Sequence, residues 1–233
     1  VVVSLIATNI LAPEYETGAF TGDTGHIVFH TYVRDHFPAC TPKEIQERAL
    51  YWEGILRCQQ SKAGSNVQAA IIGDSHAEHL FLGLAEAFPE TNIAFYIEDE
   101  LPIPENADVI RIIQSAASSP TIYTVIVTAS WATRGVPVSG LIKTLRTLVA
   151  SGKQVFMTDD IPDFPFDAGI CKFGKGILRL DRQCSMDAAG FWNGHAQIDS
   201  ELRSVQAQVP GVGLIEIAKY FCDANTCSMT RGN

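Results

Sequence analysis

From residue 67 onward, short apolar runs alternate with amphipathic stretches. Residues 67–72, 92–97, 123–128, 154–158 and 213–217 are apolar runs of strand length, and helical patterns fall between them at 76–88, about 106–117, 138–150 and about 191–207. Leu80, Phe81, Leu84 and Phe88 share one face of the first helix, and Leu141, Leu145, Leu148 and Val149 share one face of the third. Gly152 closes a helix, and Pro210-Gly211 separates the last helix from the last strand. Strand and helix in alternation predict an α/β domain with a parallel five-stranded sheet covered by helices on both faces. The fourth run leads into a long irregular insertion with Pro162, Pro165 and a segment bounded by Cys171 and Cys184, read as a lid on the one domain.

The pattern is less regular before residue 67. Residues 1–12 are apolar but too short to cross a bilayer, and they lack a basic leader or a small-residue cleavage site. Residues 13–40 are polar and rich in Gly, Thr and aromatics, so 1–40 reads as an extension packed on a main domain at 41–233. Thr41-Pro42-Lys43-Glu44 has the form of an N-cap, a proline in the first turn and a capping-box acid, and Ile45, Ala49, Trp52, Ile55 and Leu56 continue a helical stripe. A straight helix over 42–57 would be about 24 Å long, whereas a disulfide needs Cα atoms within about 7 Å. Cys40 and Cys58 therefore pair only if that helix breaks, with Gly54 the expected place; otherwise each pairs elsewhere.

Composition narrows the class. The 233 residues are 46% hydrophobic and 18% charged, too apolar for a disordered chain and too interrupted for a polytopic membrane protein. A net charge of −9 repels phosphate backbones, so nucleic acid is not an expected partner. The six cysteines include no Cys-x-x-Cys pair, which removes the usual zinc and thioredoxin spacings and favours disulfides in an oxidising compartment. Cys222 with Cys227, and Cys171 with Cys184, flank short polar or Gly-rich loops suited to local bridges.

Candidate chemistry sits where the first core strand ends. Gly73-Asp74-Ser75-His76 passes straight into a helix, which puts the Ser75 hydroxyl at the carboxyl edge of the sheet and its own N–H at a helix N-terminus, suited to a developing oxyanion. Gly73 permits close approach and Asp74 hydrogen-bonds the turn. The structural alternative is a capping box, Ser75 at N-cap with Glu78 three residues on. His76 and His79, one turn apart, lack a third ligand beyond the adjacent Asp74 and Glu78, so no metal is expected. His195 reads as structural. Phe164, Phe166, Phe173, Phe191 and Trp192 form either a wall for a sugar or, more in keeping with aromatics, a packed cluster.

Gly73-Asp74-Ser75-His76, followed by Ala77-Glu78-His79-Leu80, resembles the first signature block of the SGNH (GDSL-like) hydrolases. With Cys58, Ser130-Trp131, 160–166, Phe221-Cys222-Asp223 and Cys227-Ser228-Met229, the chain from residue 26 on resembles the periplasmic SGNH domain fused to the acyltransferase-3 membrane domain of bacterial surface-polysaccharide O-acetyltransferases, those of the O-antigen included. The resemblance implies a flavodoxin-like α/β/α sandwich, Ser75 as nucleophile, and residues 1–12 as the end of a transmembrane helix. It also implies a periplasmic domain of an inner-membrane protein, with no cofactor of its own: acetyl passes from acetyl-CoA through the membrane domain to Ser75 and on to a sugar hydroxyl of a polysaccharide. A secreted carbohydrate esterase and a non-catalytic polysaccharide-binding module are the competing readings.

The chain departs from the family pattern in three places. An Asp-x-x-His block supplying the triad acid and base is expected after the last strand, and none occurs before Asn233. The match at Asp23-Thr24-Gly25-His26 lies upstream, in the extension. For the oxyanion hole, the second-block glycine has no match where Glu98-Asp99-Glu100-Leu101-Pro102 stands and the third-block asparagine is replaced in the neighbourhood of Ser130-Trp131, which leaves the Ser75 N–H, Ser130 and the Trp131 indole N–H as donors, with packing an equal role for Trp131.

Overall fold

The computed structural model describes residues 22–52, 54–166 and 184–229, with side chains from residue 29 onward. A helix, α1 (Gly22–His36), precedes one short turn, α2 (Lys43–Gln46), and a small hairpin, β1 (Tyr51–Trp52) with β2 (Ile55–Leu56). The repeating part follows as β3 (Ala69–Gly73), α3 (Ser75–Ala87), β4 (Ile93–Ile97), α4 (Ala107–Ser118), β5 (Thr124–Thr128), α5 (Trp131–Arg134), α6 (Val138–Ala150) and β6 (Gln154–Thr158). The chain continues through β7 (Ser185–Asp187), α7 (Ala188–Gln208), β8 (Val212–Ile215), α8 (Ala218–Phe221) and β9 (Thr226–Ser228).

Five strands form a wholly parallel sheet in the order β4-β3-β5-β6-β8. Side-chain alternation explains its two covered faces. Ala70 and Ile72 of β3, Ala94 and Tyr96 of β4, and Val125 and Val127 of β5 enter one core with α4, α6 and α7. Ile71, Ile93, Phe95, Ile97 and Ile126 point the other way, onto Ala77 and Phe81 of α3 and Val33 of α1. Because β4 lies on one side of β3 and all later strands on the other, the strand order reverses at β3, and the crevice of such a sheet lies where the connections leaving β3 and β5 turn to opposite faces. This is the expected α/β/α sandwich.

The amino-terminal part differs from expectation. No helix runs over 42–57: α2 ends at Gln46 and the chain reverses through a hairpin whose turn holds Gly54 at φ +78°. The sequence pattern misled because the Thr41 hydroxyl and N–H both donate to Gln60 Oε1, so Thr41 caps no helix and Pro42 takes that place without a side-chain bond. The reversal returns Cys58 to Cys40, with Cα atoms 5.1 Å apart, and the two are disulfide-bonded. The polar stretch before residue 40 contains a full helix, α1. Cys222 and Cys227 are bonded as expected, and Cys184 is disulfide-bonded, while Cys171 lies outside the described residues. Among the described residues no helix is long and apolar enough to cross a membrane; residues 1–12 lie outside them.

Candidate active site

β3 and β5 touch closely at their carboxyl ends, where Gly73 pairs with Thr128. A Cβ on Gly73 would lie 1.9 Å from the Thr128 carbonyl oxygen, so only glycine fits the last position of β3. The chain then turns into α3 at Asp74, and here the capping expectation is corrected. Asp74, not Ser75, is the N-cap: its Oδ1 accepts from the His76 N–H at 3.0 Å. Glu78 makes no capping box either; it faces Arg57 and His30. The Ser75 side chain is left half-buried at the first turn of α3, with no hydrogen bond to its N–H or hydroxyl among the described residues.

Asp74 also reaches across the crevice. Its Oδ2 accepts from the Ser130 N–H at 2.8 Å, tying the end of β3 to the loop after β5. Burial works against the Asp74 charge, but the bonds from His76 and Ser130 outweigh it and hold its carboxyl below the usual range. The His76 ring lies between two carboxylates, Nδ1 3.2 Å from Asp74 Oδ1 and Nε2 3.2 Å from Asp160 Oδ1. Burial alone would lower its pKa; the hydrogen bonds to Asp160 and Asp74 raise it instead to about 9. With both ring N–H groups donated, this imidazolium fixes the loop and has no lone pair to act as a base.

Asp160 completes a closed ring of contacts. Its Oδ2 accepts from the Ala132 N–H at 2.6 Å, so the ends of β3, β5 and β6 are joined through Asp74, His76, Asp160 and α5. In the sequence this residue is marked by its place just after a core strand and at the head of the 160–166 segment. The adjacent Asp159 accepts from the Ile217 and Ala218 N–H groups, yet burial pushes its carboxyl up to about 7.

Two expected oxyanion donors are already engaged. The Trp131 indole N–H donates to the Thr158 carbonyl at 2.9 Å and the ring is fully buried, so this tryptophan packs beside the site and offers no proton to it. The Ser130 N–H is held by Asp74, and its hydroxyl donates to Thr133 Oγ1 at 3.0 Å. The Ser75 N–H remains, at the amino end of a helix of thirteen residues. Where a family glycine was expected, Glu98 stands; its N–H donates to the Gly73 carbonyl at 3.2 Å, and burial raises its carboxyl to about 7, with Asp108 and Glu100 adding to the effect.

The remaining candidates lie apart. His195 is buried, stacks on Phe191 at 4.8 Å and sits 3.9 Å from Asp159, in keeping with a structural role. Phe164, Phe191 and Trp192 pack around Cys222 and Cys227 instead of lining a sugar wall, and Phe166 lies against Phe164; Phe173 is outside the described residues. His79 meets Phe29 edge to face at 5.6 Å, and both ring nitrogens of His76 face carboxylates, so the pair offers no metal-binding pincer. Asp23 and His26 fall in α1, with side chains outside the described residues.

No curated protein matches the chain. A family model does: the SGNH domain, described as fused to AT3 domains, matches residues 39–233, which includes the Gly73–His76 turn, all five strands of the sheet and the bond from Ser130 to Asp74. With that match the chain belongs to the SGNH family whose domains are fused to AT3 domains.

Proposed function

We propose that this domain transfers an acetyl group, by way of Ser75, to a sugar hydroxyl of a bacterial surface polysaccharide, with lipopolysaccharide O-antigen the favoured acceptor. It would do so on the periplasmic side of the inner membrane, fused to an AT3 membrane domain that passes on acetyl drawn from acetyl-CoA. The observation that carries the reading is the division of labour in the turn: Asp74 takes over capping, so the Ser75 hydroxyl is not spent on the backbone.

The chemistry follows from that placement. Ser75 Oγ attacks the carbonyl carbon of the acetyl donor while its proton passes to a general base. Negative charge gathers on the carbonyl oxygen, where the Ser75 N–H and the α3 amino end stabilise it. Expulsion of the donor's leaving group gives acetyl-Ser75. A sugar hydroxyl then attacks, its proton is taken by the same base, and the serine is regenerated as the acetylated sugar departs. Water in place of the sugar would make the same site an esterase.

Ser75→Ala in the full-length protein is expected to abolish O-acetylation of the surface polysaccharide in cells, a loss of about a thousand-fold or more, with folding unchanged. Mass spectrometry of the wild-type protein is expected to find one acetyl group on Ser75 when acceptor is withheld. Acetylation retained in Ser75→Ala cells would overturn the assignment.

A further inference from the structure

The strand ends hold one side of the nucleophile turn. The other side is held by a buried group that the reaction itself does not use. Glu78 lies three residues after Ser75, in the first turn of α3, with its side chain 1% exposed. Its Oε2 accepts from Arg57 Nε at 2.9 Å and Nη2 at 2.6 Å, and its Oε1 faces His30 Nδ1 at 3.0 Å. Burial opposes the carboxylate charge, but His30 and Arg57 outweigh it and hold the group below its ordinary range. Arg57 comes from the hairpin, next to disulfide-bonded Cys58; His30 comes from α1.

We propose that α1 is part of the catalytic unit, and that through His30 it makes Glu78 a positioning residue for Ser75. The proposal rests on Ser75 being the nucleophile. α1 lies along the same face as α3: Val33 is fully buried against the core that contains Ala77 and Phe81, Phe37 meets Phe81 edge to face at 4.9 Å, and Phe29 meets His79 at 5.6 Å. His79 and Glu78 occupy the turn that follows Ser75, so α1 grips the helix at its reactive end. A carboxylate there also favours the helix amino end while opposing an oxyanion one turn away, and the Arg57 guanidinium offsets that opposition. Tilting α3 moves Oγ with it, and a displacement of about 1 Å costs about a hundred-fold in rate. The segment that leads into the domain thus sets how well the serine is aimed.

The test reads Ser75 directly, by the rate at which a fluorophosphonate phosphonylates the full-length protein, fluoride leaving as the Oγ–P bond forms. Ser75→Ala serves as the control, and temperatures are kept well below each variant's Tm. His30→Leu is expected to lower the maximal labelling rate about ten-fold with the probe's apparent binding constant unchanged, and His30→Gln, which keeps a donor for Glu78, is expected to restore it. Should His30→Leu not fold, Val33→Ala loosens the same docking without touching the charges and is expected to slow labelling likewise. Wild-type labelling rates in whichever of these variants folds would overturn the inference and leave α1 as packing alone. Labelling that persists in Ser75→Ala would instead overturn the nucleophile assignment on which the inference stands.

Discussion

At position 73 one methyl group measures how tightly the turn before Ser75 is built. The added Cβ of Gly73→Ala would meet the Thr128 carbonyl carbon at 2.9 Å as well as its oxygen at 1.9 Å, and backbone cannot swing aside as a side-chain tip can. β3 and β5 would have to part, which breaks the Asp74 bond to Ser130 as well as ladder bonds. We expect Gly73→Ala to cost about 2–4 kcal/mol in urea unfolding and to lose acyl transfer even where it folds. His76 is testable by pH. Its pKa of about 9 lies above the ordinary 6.5, so the folded state binds its proton more tightly than the unfolded chain does. The stability this adds, of order 3 kcal/mol at most, is full below about pH 6.5 and is lost as pH rises through about 9. The stability gap between wild type and His76→Gln, from urea unfolding at a series of pH values, is expected to shrink over that window. A gap that stays constant would mean that His76 is held by packing and not by Asp74 and Asp160.

At the scale of the element, the sheet was legible because burial on two faces leaves an unmistakable mark. Five apolar runs became β3, β4, β5, β6 and β8 nearly residue for residue, and α6 over Val138–Ala150 matches its predicted span, since Leu141, Leu145 and Leu148 must all face one core. The turn bearing Ser75 was legible for the same reason, as a polar tripeptide between strand and helix. What escaped was decided by partners distant in sequence. Thr41 looked like a cap, but Gln60, nineteen residues on, offers its hydroxyl a better acceptor. Ser75 and Asp74 were both competent caps, and the carboxylate prevails because its second oxygen can also bind Ser130. α1 was missed because Val33 and His30 are buried by α3 and the hairpin, a tertiary fact that no local pattern encodes. Glu78 was noticed as a capping-box acid and Asp160 as part of a motif, yet neither role predicts the buried ion pairs they make.

On the scale of the whole molecule, Cys40–Cys58 and Cys222–Cys227 are short covalent links in parts that lie outside the sheet. Cys40–Cys58 closes a separation of 18 residues and fastens the end of the α1 segment beside Arg57, with both sulfur-bearing residues buried in the main core. Cys222–Cys227 closes a separation of 5, within the small cluster of Phe164, Phe191, Trp192 and Phe221. If these bridges act chiefly by restricting the unfolded chain, the longer loop matters more: the loop-closure relation gives about 3 kcal/mol for the first and about 2 kcal/mol for the second. Cys40→Ala/Cys58→Ala is therefore expected to lower the urea midpoint further than Cys222→Ala/Cys227→Ala, and hydrogen exchange should speed up in α1 in the first variant alone. The reverse order would show that loop length is not the governing quantity, and that aromatic packing around the shorter bridge stabilises this region more than the tether between α1 and the sheet.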